Sequence, residues 1–289
     1  MQGKMGKGKT NPRDGRGERG GMSNKFQAFS SGGGTQSCCI AALIVQGKLP
    51  KPDICVIADT EFENDRTWEY LYSTVMPELV AVGVEVHRIK DSEYAAPWGN
   101  PSVHKGFASS GQPMIPAYTD MSGNTAHLSK LSTYCSNAWK QEVVDRWLSK
   151  ERGVTRSMMV KWIGFSRDEC KRVWRMAKGE EYQKGLIRFP LIHDVPTTRQ
   201  EAINIVKSMG WPDPPRSRCW MCPNQNDHEW REIKADPEMW KCAVEFEREF
   251  RKRDPHAFLH RSGKPIDEVD FTEEDDLFAG KCESGNCFL

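Results

Sequence analysis

The chain is 289 residues long, 38% hydrophobic and 28% charged, with a formal net charge of +1. That length suits one large α/β domain, or one with a small appended module, and the charge balance argues against a globally basic nucleic-acid binder. No apolar stretch approaches the ~20 residues of a membrane span, and the ten cysteines are too few for a disulfide-scaffold mini-protein but suit metal ligation or redox work in a reducing cytoplasm.

Residues 1–22 are rich in Lys, Arg and Gly and nearly devoid of apolar side chains. Such a segment has too little surface to bury against its ordering entropy, so a disordered basic tail is expected. No apolar run follows its charges, and no secretory signal is expected. Phe26–Phe29 alternates apolar and polar residues and predicts a strand that runs into Ser30-Ser31-Gly32-Gly33-Gly34. Ser37–Val45 is almost wholly apolar and predicts a buried helix. Ile54–Ala58 predicts a strand closed by Asp59. Asn64–Val82 places Trp68, Leu71, Tyr72, Val75 and Leu79 at helical spacing, with a kink expected at Pro77. Val84–Ile89 predicts a third strand. Strand, helix, strand, helix, strand implies right-handed crossovers and an open, mostly parallel sheet with helices on both faces.

Ser92–Ala126 is rich in Gly, Pro and Ser without a sustained period, the pattern of a lid or mobile loop. Tyr134–Trp147 returns to helical spacing, and Met158–Gly164 predicts a strand. Ser166-Arg167-Asp168-Glu169 and Thr198-Arg199-Gln200-Glu201 match the capping box and open predicted helices at Ser166–Ala177 and Thr198–Met209. A turn-rich loop, Trp211–Pro223, carries Cys219 and Cys222. Pro237–Arg253 predicts a final amphipathic helix, and an acidic stretch leads on to Cys282 and Cys287. The expected organisation is the tail, a nucleotide-binding domain over 23–210 and a cysteine-bearing helical region over 211–289.

Ser31-Gly32-Gly33-Gly34-Thr35-Gln36-Ser37 lies between a predicted strand and a predicted helix. Glycines let backbone N–H groups approach phosphates, a helix N-terminus favours anions, and Thr35 and Ser37 add hydroxyls. The Gly-Lys-Ser/Thr ending of a Walker A loop is absent, and the glycines alone fit a flexible turn equally well. The next strand ends in Ala58-Asp59-Thr60-Glu61, where an open α/β sheet collects its ligands. Asp59 and Glu61 are candidates for ribose, base edge or Mg²⁺, with Thr60 between them.

These two strand ends resemble the PP-loop ATP pyrophosphatases, and within them the phosphoadenosine phosphosulfate reductase family, particularly its phage and mobile-element branch. The resemblance runs from about Phe26 to Arg253. It also rests on Val84–Ile89, on Trp162-Ile163-Gly164 with Glu169 and Arg172, on Pro190-Leu191-Ile192 with Arg199, and on Cys219-Trp220-Met221-Cys222-Pro223 with Trp230. It implies an adenine-nucleotide α-hydrolase-like fold that binds ATP and Mg²⁺. Ser37, Asp59, Arg172 and Arg199 become the catalytic candidates, and Ser31 to Ser37 with Asp59, Thr60 and Glu61 the nucleotide-binding set. The family's usual Ser-Gly-Gly-Lys-Asp-Ser ends here in Gly34-Thr35-Gln36-Ser37. The missing Lys removes a charge for phosphates and the missing Asp weakens Mg²⁺ handling, so nucleotide binding is expected ahead of fast hydrolysis, with Arg172 or Arg199 compensating.

Cys219 and Cys222, three positions apart before Pro223, can converge on one metal ion. The resemblance supplies Cys135 as a third ligand and implies a [4Fe–4S] cluster with one open iron for sulfur transfer. Zinc completed by His228 or His127, and a redox dithiol, are the other readings. Cys38, Cys39 and Cys55 are expected in the core, as are Cys170 and Cys242 on their helices. The expected function is adenylation of a substrate, with nucleic acid the expected acceptor, followed by sulfur transfer. Such reductase-like proteins also accompany some CRISPR and DNA phosphorothioation systems. The rivals are a true reductase of phosphoadenosine phosphosulfate or adenylyl sulfate, and a non-catalytic nucleotide-binding accessory module with structural zinc. The expected partners are an adenine nucleotide, nucleic acid and a second copy in a homodimer, with no membrane contact.

Overall fold

Two runs of β-branched and aromatic residues form the centre of a parallel sheet because both of their faces are covered. In the computed structural model, which describes residues 25–94, 106–120 and 128–271, these are β1 (Phe26–Ser31) and β2 (Ile54–Asp59). Phe29 faces one core and Ala28 the other, as the period of two requires. β3 (Glu85–Lys90), β6 (Met159–Ile163) and β7 (Ile187–Arg188) complete a five-stranded all-parallel sheet in the order β3-β2-β1-β6-β7. Three two-residue strands, β4 (Tyr118–Thr119), β5 (Ser129–Lys130) and β8 (Ala257–Phe258), form a small antiparallel sheet. The basic tail, His127, Cys282 and Cys287 lie outside the described residues.

Helices cover both faces of the large sheet. α1 (Thr35–Val45) is apolar and buried on every side from Cys38 to Ile44, between the sheet and the helix α5 (Arg199–Ser208). Each fully buried Ile or Leu there contributes roughly 1.5–3 kcal/mol. α2 spans 65–81 and packs beside α1. The kink expected at Pro77 takes the form of a π-helical turn, Leu71–Val75, immediately ahead of the proline. The wider turn accommodates the ring and its missing N–H. On the opposite face α3, spanning 137–152, sets Val143, Val144 and Leu148 against β2 and β3 and ends at Gly153 in the left-handed conformation.

A second core gathers Trp230, Phe246, Phe250, Leu259 and Ile266 from the C-terminal region with Phe62, Met114, Ile115 and Trp139 from earlier in the chain. The helices there are α6 (Asp227–Lys234) and α7 (Pro237–Arg253). α7 matches its expected bounds, whereas the sequence reading passed over α6. Residues 106–120, expected as loose loop, contribute Phe107, Met114, Ile115 and Ala117 to this core. Gly106 allows their entry: a Cβ there would stand 2.6 Å from the Phe250 ring. Cys38, Cys39 and Cys55 are buried as expected. Cys170 and Cys242 are not core residues; both are exposed, because α4 (Cys170–Ala177) buries no side chain and α7 turns Cys242 outward. No helix among the described residues is long and apolar enough to cross a membrane.

Candidate functional site

The chain leaves β1 for β2 and β3 on one side, then returns across the sheet to β6 on the other. The topological switch point therefore lies between the carboxyl ends of β1 and β6, the crevice where such sheets bind ligands. The glycine loop occupies it. Gly33 has φ +73°, and a Cβ there would stand 3.1 Å from Leu71 and 3.3 Å from Thr67. Gly34 caps α1 without a side-chain acceptor, and no acidic residue occupies the first turn. The helix N-terminus thus keeps its attraction for an anion. Two hydroxyls brace the loop from within: the Ser37 hydroxyl accepts the Gly32 N–H at 2.9 Å, and the Ser31 hydroxyl accepts that of Gly33 at 3.3 Å.

Across the crevice, Gly164 after β6 packs on the loop; a Cβ there would sit 3.4 Å from the Ser37 nitrogen. Gln36 donates to Glu169 Oε2 at 3.1 Å and to the Ser166 hydroxyl at 3.4 Å. This contact gives a local reason for the amide: an acid at position 36 would confront Glu169 directly. Glu169 pairs in turn with Arg172, and Asp168 accepts the Arg199 backbone N–H at 2.5 Å. The fold thus brings Gln36, Ser37, Glu169 and Arg172 together, with Arg199 at the same edge.

Asp59, one strand over, has a different placement from that of a free ligand. It is buried, with Oδ2 accepting from Arg88 Nε at 3.0 Å and Nη2 at 2.7 Å, and Oδ1 accepting the Glu61 N–H at 2.8 Å. Arg88 lies over the Trp68 ring, 4.0 Å from its centroid, and donates to the Tyr72 hydroxyl at 2.7 Å. Removing one partner of such a pair strands a buried charge. Arg88→Ala is accordingly expected to lose about 3–5 kcal/mol of stability, read as a lower denaturant midpoint. Glu61 adopts φ +60°, the one non-glycine residue with positive φ among those described, and its carboxylate accepts the Ser92 N–H at 3.1 Å. Asp91 beside it is fully buried, and neither carboxyl oxygen has a hydrogen-bond partner among the described residues. Burial, then the charges of Glu61 and Asp59, push its carboxyl up to about 8.

The CxxC segment docks on the same edge of the sheet. Phe62 accepts the Trp220 N–H at 2.9 Å, Arg218 accepts the Asn64 N–H at 3.3 Å, and Thr60 Oγ1 lies in hydrogen-bond contact with Cys219 Sγ at 3.3 Å. A tight turn joins the two cysteines, the Cys222 N–H donating to the Cys219 carbonyl at 2.9 Å. Lys140, from α3, reaches Glu63 at 3.5 Å and sits within the electrostatic range of Cys135, Cys219 and Cys222. Burial works against its charge, but these four groups hold its pKa above the ordinary lysine value. Burial raises all three thiols, Cys135 to about 12, with the neighbouring Cys222 charge a second cause there. The three cysteines are thus neighbours around one lysine. Among the described residues, however, no three His, Cys, Asp or Glu side chains form a group able to hold a metal ion. As arranged, the thiols are not a ready ligand set.

A cleft of about 550 Å³ opens beside the glycine loop, lined among others by Arg66, Arg216, Arg218, Trp220, His228 and Glu229. Two of its lining residues touch the loop: Thr67 packs near Gly33, and the Pro215 carbonyl accepts from Thr35 Oγ1 at 3.5 Å. Glu229 takes Arg218 at 2.7 Å and Arg216 at 3.3 Å, so two guanidiniums share one carboxylate. The sequence reading missed these arginines; the available signal was Arg216-Ser217-Arg218 directly before Cys219. The chain matches no protein-family model, no curated protein and no solved structure.

Proposed function

We propose that this chain is a PP-loop adenine-nucleotide enzyme resembling the phosphoadenosine phosphosulfate reductase family, which binds ATP at Ser31–Ser37 and adenylates an acceptor. One observation carries the reading: a glycine loop leads into a helix N-terminus that has neither a side-chain cap nor an acid in its first turn, at the switch point of a parallel sheet. The N–H groups at the uncapped start of α1, with its dipole, hold the pyrophosphate end of the nucleotide, while the Ser37 and Ser31 hydroxyls fix the glycine loop beneath it. The loop has no lysine, and positive charge comes instead from Arg172 and Arg199 on one side and Arg216 and Arg218 on the other. Titration calorimetry with Mg-ATP tests this directly. Micromolar binding that Ser37→Ala weakens about tenfold is expected, since that hydroxyl fixes the Gly32 N–H. Absence of binding to ATP, adenylyl sulfate and its 3′-phosphate would sink the reading.

The resemblance alone supplies the second half of this reading, a [4Fe–4S] cluster or a zinc ion on Cys135, Cys219 and Cys222 and sulfur transfer to the adenylated acceptor. Iron and sulfide in anaerobically purified protein, both lost in Cys219→Ser, would support this half and would require the three thiols to draw together from their present arrangement. A single zinc would favour structure over sulfur chemistry, and absence of any metal would leave the thiols as redox or packing groups. A non-catalytic nucleotide-binding module is the second reading, favoured by the Gln36–Glu169 contact and by Asp59 being held by Arg88. ATP bound without pyrophosphate release is the result that would select it.

A further inference from the structure

α4 departs from the other long helices among the described residues: it buries none of its eight residues. Val173, Met176 and Ala177 are half-buried, while Lys171, Trp174, Arg175 and Lys178 are exposed. These four follow the i, i+3, i+4, i+7 spacing and form one stripe along the helix. Trp174, at 62% exposure, is the most exposed large hydrophobic side chain described. Lys178 Nζ stands 3.2 Å from the centroid of its ring.

No acid among the described residues neutralises the charges on this stripe. Of the acids nearby, Glu169 holds Arg172, Glu180 holds Lys184 at 2.5 Å and Glu181 holds Arg156 at 3.2 Å. Lys171, Arg175 and Lys178 have no ion pair among the described residues. An indole left in water between three unpaired cations is costly for a bare surface, and it complements a particular kind of ligand. Strands of nucleic acid bring phosphates for the cations and unstacked bases for the ring. A protein partner fits less well, because protein–protein interfaces are depleted in lysine. The stripe also starts beside the crevice, since Glu169 at the foot of α4 is the residue that binds Gln36 of the glycine loop.

We infer that Lys171, Trp174, Arg175 and Lys178 form a docking surface for a single strand of nucleic acid, with phosphates on the three cations and a base stacked on Trp174. That the bound strand is the acceptor of the adenylating enzyme rests on the reading given above; the docking itself does not.

Fluorescence anisotropy of a labelled single-stranded oligonucleotide with the full-length protein, without added nucleotide, tests the docking. The triple charge reversal K171E/R175E/K178E is expected to lower affinity at least tenfold. It should also flatten the dependence of log K on log salt by about two, at roughly 0.7 per phosphate contact on a single strand. Trp174→Ala alone should cost roughly tenfold, the usual effect of losing one stacking platform. All four side chains point to solvent, so both variants should melt as wild type does and bind Mg-ATP with unchanged affinity. Strand binding that neither variant weakens would overturn the proposal, as would a wild-type protein that binds no strand. Sensitivity to the charge reversal but not to Trp174→Ala, with heparin competing as well as the oligonucleotide, would make the stripe a general polyanion surface and overturn the assignment to nucleic acid. Loss of ATP binding with strand binding intact would instead count against the enzyme reading alone.

Discussion

Valine in place of Gly33 is expected to lower ATP affinity more than a hundredfold while leaving most of the fold intact. Two effects act together. The backbone at position 33 is left-handed, with φ +73°, a conformation that costs an ordinary L-residue about 1–2 kcal/mol and a β-branched one more. The new Cβ would also meet Leu71 at 3.1 Å and Thr67 at 3.3 Å, and valine adds two methyl groups beyond it. The loop must shift, and with it the uncapped start of α1 that faces the crevice. Gly47→Ala is the control. Position 47 has nearly the same φ, +71°, but nothing lies within 4 Å of its Cβ position. It should lose about 1 kcal/mol of stability and no affinity. Calorimetry on the pair separates backbone strain from damage to the loop. Wild-type affinity in Gly33→Val would remove the phosphates from this loop.

The sheet was legible because its elements announce themselves locally. Ile54–Ala58 is a continuous apolar run, and such runs between helices mean a strand buried on both faces. Ser166 with Glu169 and Thr198 with Glu201 form the capping boxes their spacing promised. α6 carries the same device as Asn226 with Glu229, yet its charged first turn, Asp227-His228-Glu229, has no apolar periodicity to draw attention to it. The packing of 106–120 was hidden for another reason: it depends on Phe246 and Phe250, more than a hundred residues away. The fate of Asp59 was equally non-local. Its partner Arg88 reaches it only because β2 and β3 pair with Ile57 opposite Arg88, a register no local pattern reveals. The glycine loop could be found from sequence; what its neighbours do with their charges could not. Asp59 was an open ligand on paper and is a paired, buried carboxylate in the fold, while the sharing of Glu229 by Arg216 and Arg218 shows only in the fold.

Asp91 sets the other large effect, an unusual dependence of stability on pH. A free aspartate ionises near 3.8, but in the fold burial and the charges of Glu61 and Asp59 hold this carboxyl to about 8. Below pH ~4 the native and unfolded chains both carry the proton, and the group is neutral to stability. Between there and pH ~8 the unfolded chain releases it while the native chain keeps it. Stability therefore falls as pH rises, by about 1.4 kcal/mol per unit, and this decline ends above pH ~8 where both states are ionised. The full span amounts to on the order of 5 kcal/mol. Asp91→Asn has no proton to release, so its stability relative to wild type should climb steadily from pH 5 to pH 8. The amide carries its own desolvation cost of roughly 1–3 kcal/mol, which shifts that curve without tilting it. Urea unfolding of both proteins at four pH values across this range measures the tilt. Parallel curves would mean that Asp91 ionises normally in the fold. Loss of the decline in Glu61→Gln with Asp91 intact would assign the effect to the neighbouring charge rather than to burial.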